Sequence, residues 1–212
     1  MAAEILKIHN TNPEPKLIAY VADRLKAGLV VGVPTDTFYG LAVDPINLRA
    51  VERVYEIKSR KRHKPLSLMV ESEDQAEDLT HAPDGDFYAL ARRFWPGPLT
   101  VIVKASSRLP LKVTANTGNV ALRVPDCPIA VELVRAAGFP ITATSANLSG
   151  MKECTTADTV RLQLGDRLPL IVDGGETPRA IASTIVDLSQ DSGWVIQREG
   201  AISAEDIRSV LG

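Results

Sequence analysis

Lys58, Arg60, Lys61, Arg62 and Lys64 put five cations into the seven residues from 58 to 64, with His63 among them. Charges this dense repel one another, and an anion would relieve them. Arginine meets a phosphate as a planar fork and lysine meets it as a point charge. A solvated helix end suits the same run, because cations complement the negative end of the helix dipole. An RNA backbone would suit it too. In "ITATSANLSG", Ile141 to Gly150, hydroxyls and one amide crowd together, with no acid, histidine or metal ligand beside them. Such a stretch can hold a ligand but is poorly equipped for proton transfer.

Three further positions join these. Arg123 interrupts the apolar run "VALRV". An arginine there requires a partner, either a structural carboxylate or that of a ligand, since an unpaired buried charge is costly. In "VPTDTFYGLA" an apolar strand ends at Val33 and the chain turns through Thr35, Asp36 and Thr37. Ligands of open α/β sheets sit outside strand ends, so this turn suits a pocket wall, and equally a self-capped turn. Ser183 opens the strand in "ASTIVDLS", and Arg198 closes the one in "IQREG".

The elements that must position these residues alternate along the chain. Ile5–Ile8 reads as a strand, and Leu17, Ile18, Val21, Ala22 and Leu25 carry helical spacing that stops at Gly28. Further helices are expected at 48–57, 87–94, 129–137 and 204–211, the last with Ser203 as N-cap. Strands are expected at 29–33, 65–70, 99–105, 120–124, 141–144, 170–172, 184–187 and 195–197. The expectation is one α/β domain over residues 1–212, an open twisted mixed sheet with flanking helices. Neither a Walker A loop nor a dinucleotide fingerprint occurs.

Bulk properties limit the function. The chain has 212 residues, 45% of them hydrophobic and 24% charged, as in ordinary globular proteins. A net charge of −2 gives no global basic field, so any nucleic-acid site must be local. The two cysteines, Cys127 and Cys154, have no second ligand at metal spacing and fit a reducing compartment. No signal-peptide pattern and no membrane-length apolar run occur, so a cytoplasmic protein is expected, without membrane contact.

Eight separated motifs then agree in order: "PTDTFYGL", Lys58-Ser59-Arg60 with "KPL", "WPGPLT", "ALRVPD", "TSANLSG", "VDGG", "STIVDL" and "REG". From about Leu29 to Gly200 the chain resembles the YrdC-like threonylcarbamoyl-AMP synthases, in their short single-domain form. The lysine-x-arginine and serine-x-asparagine pairs separate the active synthases from a close paralogue group. The chain departs from the family's pattern at Lys64, where asparagine is frequent, at Asn119, where threonine is common, and at Ala182, where Glu or Gly is usual.

The resemblance implies a YrdC-like fold around a large concave cavity. It also implies a nucleotidyltransferase, an L-threonylcarbamoyladenylate synthase. Such enzymes condense L-threonine, bicarbonate (or carbon dioxide) and ATP and release pyrophosphate. A separate tRNA threonylcarbamoyl transferase then carries the group to the adenosine beside the anticodon. By the same resemblance Thr35, Arg123 and Ser183 would bind threonine. Arg60, Lys64, Asn119, Ser145, Asn147 and Arg198 would bind ATP, and Lys58 with Arg60 would offset phosphate charge as catalytic residues. Magnesium (Mg2+) would travel with ATP, with no protein ligand identified. The alternatives are an RNA-binding module using Lys58–Lys64 and a catalytically idle scaffold.

Overall fold

The computed structural model describes residues 3–212. Among the described residues, eleven short strands and eight α-helices alternate as expected of an α/β chain, but the strands divide between two hydrogen-bonded sheets. In the first, β1 (Glu4–Lys7), β9 (Leu170–Asp173), β2 (Val31–Val33), β3 (Gly40–Ala42) and β8 (Thr144–Ser145) lie in that order. In the second, the order is β11 (Val195–Arg198), β10 (Thr184–Asp187), β5 (Leu99–Lys104), β6 (Asn119–Arg123), β4 (Leu68–Met69) and β7 (Ile141–Thr142). Both mix parallel and antiparallel pairs.

Local chemistry sets the helix limits. α1 (Pro15–Lys26) has proline in its first turn, where a missing N–H costs nothing, and buries Ile18, Val21, Ala22 and Leu25 on one stripe. In α2 (Leu48–Lys58) the Asn47 side chain accepts from the Ala50 N–H at 3.2 Å. α2 ends where Ser59 turns left-handed at φ 51°, which delivers Arg60 off the helix axis. α6 (Pro128–Ala137) stops at Gly138, φ 79°. α8 (Ala204–Leu211) takes the Ser203 cap expected of it, accepting from Asp206 N–H at 3.1 Å.

The expected 65–70 strand contracts to β4, and the expected 141–144 strand splits into β7 and β8. The cause is geometric. Ile141–Thr142 pairs with β4 in the second sheet, and Thr144–Ser145 pairs with β3 in the first. Ala143 makes the crossing, its N–H donating to the Ser67 carbonyl at 2.8 Å. One apolar core lies among α1, α6 and the first sheet, built from residues such as Val21, Leu25, Leu133 and Val172. A larger one includes Leu41, Val54, Phe87, Leu122 and Ile171.

Candidate active site

The two sheets enclose a cavity of about 610 Å³. Its second-sheet side is lined by Met69, Thr100, Ile102, Ala121, Arg123 and Ile185. The turn Thr35–Gly40 and Thr144–Ser145 wall it from the first sheet. Of the ten residues expected at a site, seven line it: Thr35, Arg60, Lys64, Arg123, Ser145, Ser183 and Arg198. Glu153 is the one carboxylate among the lining residues.

Arg60 is the cation best placed to meet a ligand. Its Nη2 donates to the Pro65 carbonyl at 2.9 Å, while its Nε–H is buried with no partner among the described residues. Burial pushes its pKa down from the ordinary value. A buried, unpartnered donor is costly, and an anion in the cavity would satisfy it.

Lys58 sits elsewhere. It is 2% exposed and does not line the cavity. Its ammonium donates to the main-chain oxygen of Ser145, to that of Asn147 at 2.8 Å, and to Asn147 Oδ1 at 3.2 Å. An ammonium has three N–H groups, so none remains for a phosphate. Expected to act on phosphates, Lys58 instead clamps the "TSAN" loop from behind. Burial, and next the nearby Arg60 charge, lower its pKa to about 7.

The loop chemistry follows the same pattern. Asn147 donates to the carbonyls of Leu148 (3.1 Å) and Met151 (2.6 Å), and its Oδ1 also accepts from Ser145 Oγ at 2.6 Å. Its side chain is spent on the loop, against the expectation that it would hold a nucleotide. Ser145 faces the cavity with its hydroxyl proton already given away, so Oγ offers acceptor lone pairs rather than a donor. Asn119 lies outside the lining and donates to Ser189 Oγ at 2.8 Å, two residues along β6 from Ala121.

At the other end, Thr35 caps its own turn. Its hydroxyl donates to the Phe38 carbonyl at 2.7 Å and accepts from the N–H groups of Thr37 and Phe38. Arg123 meets a structural carboxylate: it pairs with Asp36 and donates to Thr37 Oγ1 at 3.0 Å and to the Gly97 carbonyl at 2.9 Å. Three of its five N–H groups are thus committed, and one on each terminal nitrogen stays open. Ser183 is held by Arg198, whose Nε and Nη2 donate to its carbonyl at 3.0 and 2.8 Å. Its hydroxyl lies 2.8 Å from Thr100 Oγ1. Gly200 packs so closely on Ala182 and Ser183 that a Cβ there would collide with their main chain.

Asp36, Thr100 and Glu153 were not assigned site roles from sequence. Thr100 carried a legible signal, a hydroxyl on the apolar strand "LTVIV". The basic run does not form one charged face. Lys58 is buried, Arg60 and Lys64 line the cavity, and Arg62 pairs with Glu52 on the surface. Among the described residues no group of three or more His, Cys, Asp or Glu is placed to hold a metal ion. Nor is any helix long and apolar enough to cross a membrane.

Fold and site together define an α/β protein whose two mixed sheets wall a cavity lined by arginines and hydroxyls. The family model Sua5_yciO_yrdC, described as "Telomere recombination", matches residues 23–200. A Bacillus subtilis protein named "Threonylcarbamoyl-AMP synthase" is 41% identical over 196 residues, which is 92% of this chain and 56% of the relative. The crystal structure of P. abyssi Sua5 complexed with L-threonine matches at TM-score 0.94 and 35% identity, covering 98% of this chain and 61% of that one. That of E. coli YciO matches at TM-score 0.88 and 26% identity, covering 97% and 99%. The chain belongs to the Sua5/YciO/YrdC family. It spans little more than half the length of the B. subtilis relative.

Proposed function

We propose that the chain is an L-threonylcarbamoyladenylate synthase, a nucleotidyltransferase that joins L-threonine, bicarbonate and ATP. The observation carrying this is the convergence of Arg60, Lys64, Arg123 and Arg198 with Ser145 and Ser183 on one cavity that has no histidine or cysteine in its lining. The proposed reaction needs that kind of site. Threonine's neutral amine forms a carbamate with bicarbonate and water leaves. A carbamate oxygen then attacks the α-phosphorus of ATP, and the bond to pyrophosphate breaks. Positioning and charge neutralisation dominate both steps.

On this reading Arg60 and Lys64 face the phosphates, with the open Arg60 Nε–H as the preorganised donor. The open N–H groups of Arg123 take the threonine carboxylate, and Ser183 lies beside the amino acid. Ser145 accepts from the nucleotide, and Arg198 faces it while bracing Ser183. A magnesium ion on ATP would be bound mainly through phosphates and water, with Glu153 the lining side chain of suitable hard-oxygen type. A separate tRNA threonylcarbamoyl transferase would consume the product, and dependence on ATP and transfer RNA would suit a cytoplasmic enzyme. Dispersal of the basic run speaks against an RNA-binding module.

A coupled pyrophosphate assay tests the proposal. Release should require L-threonine and bicarbonate together. Release that ignores either one overturns it.

A further inference from the structure

Asp36 is 1% exposed, and its two carboxylate oxygens have different company. Oδ1 accepts from Arg123. Oδ2 is buried and accepts no hydrogen bond. The cation facing Oδ2 is Arg179, whose Nε lies 3.7 Å away. That distance is too long for a hydrogen bond but short for a charge interaction with a buried oxygen. The Arg179 side chain is 42% exposed and also reaches Asp126 Oδ2 at 3.9 Å. It stands on an exposed strap, Pro178 to Ile181, between β9 and β10. The strap leads directly into Ala182 and Ser183, which line the cavity.

The charge balance makes Arg179 matter. Asp36 and Arg123 alone form a neutral pair, so the open N–H groups of Arg123 would present little net charge to a ligand. With Arg179 the buried pair gains a second cation, and Asp126, 3.9 Å from Arg179 but 61% exposed, offsets that charge only in part because water screens it. We propose that Arg179 is a positioning residue for the amino-acid end of the cavity: it counters the second oxygen of Asp36 and leaves Arg123 electropositive toward a substrate carboxylate. This rests on the proposed placement of L-threonine at Arg123. Arg179 does not line the cavity, so its effect is transmitted through Asp36.

The test compares the wild-type chain with Arg179→Gln and Arg179→Lys, using calorimetric titration with L-threonine and with ATP, then steady-state kinetics. Arg179→Gln should raise both the threonine Kd and the threonine KM about fivefold, the order expected for one partly exposed charge. Its kcat and ATP Kd should stay within about twofold of wild type. Arg179→Lys should recover most of the loss, because a charge is required rather than a fork. The threonine effect should shrink in high salt. Unchanged threonine binding in Arg179→Gln overturns the inference while leaving the synthase proposal intact, and so does an equal loss of ATP binding. Failure of the wild-type chain to bind threonine overturns both.

Discussion

Lys58 and Asn147 are tied twice, through the main-chain oxygen at 2.8 Å and through Oδ1 at 3.2 Å, although 89 residues separate them in sequence. The ammonium therefore builds the loop that carries Ser145. Lys58→Met should keep the fold but loosen that loop, lowering turnover on the order of 10- to 100-fold, the scale of losing a group that orients another. The pH dependence of stability gives a second readout. The folded pKa is depressed to about 7 from 10.5, so the folded state gives up the proton first. Wild-type stability should rise relative to Lys58→Met between pH 7 and 10.5. Melting temperatures across that window check the sign. No relative change across that window would mean that the three oxygens hold the proton against burial.

Arg60→Ala should lower turnover about 100- to 1000-fold, as the loss of one preorganised donor to developing charge does. Lys61→Ala and Arg62→Ala should leave turnover nearly unchanged. Arg62 is spent on the exposed pair with Glu52, worth no more than about 1 kcal/mol of stability. Kinetics on the three variants separates a cavity-facing arginine from a charged helix end.

Arg123→Leu should cost about 3–5 kcal/mol of folding stability, because Asp36 is left buried without its partner. Adding Asp36→Leu should restore much of that stability without restoring threonine binding. Denaturant unfolding and calorimetry on the single and double variants distinguish a structural arginine from one that also binds. If the double variant binds threonine like wild type, the open N–H groups of Arg123 have no role in recognition.

Serine lacks threonine's methyl, worth about 1–3 kcal/mol in a fitted pocket, and should be a poor but active substrate. Valine lacks the hydroxyl. The Thr35 hydroxyl is saturated by its own turn, so the partner for the substrate hydroxyl should be Ser183. Valine should therefore be rejected more strongly than serine in the wild type, and Ser183→Ala should narrow that difference. Pyrophosphate release with the three amino acids measures it.

Periodicity found most of the elements, because apolar stripes such as Ile18, Val21, Ala22 and Leu25 record burial directly. It missed α7 (Ala157–Leu164), whose fully exposed side includes Leu162 at 80% exposure and blurs the stripe. The strand β3 and the division of the 141–144 strand between two sheets escaped too, since such pairing depends on partners far away in sequence. At the site, residue types showed which side chains suit anions and hydroxyls. They did not show which donors were already spent. Lys58, Asn147 and Thr35 look like ligand-binding residues in sequence, and their hydrogen bonds are consumed by the protein itself. Asp36 read as a turn residue because Arg123, 87 positions away, gives it its meaning.

The crossing at Ala143 makes the segment from Ile141 to Ser145 a seam of main chain shared by the two sheets, above the core they have in common. A ligand touching Ser145 on one side and Arg123 or Ser183 on the other spans that seam like a rivet. Its binding free energy is then spent on holding the halves of the molecule together as well as on holding itself. Occupied protein should accordingly come apart as one body, with no loosened half preceding the other.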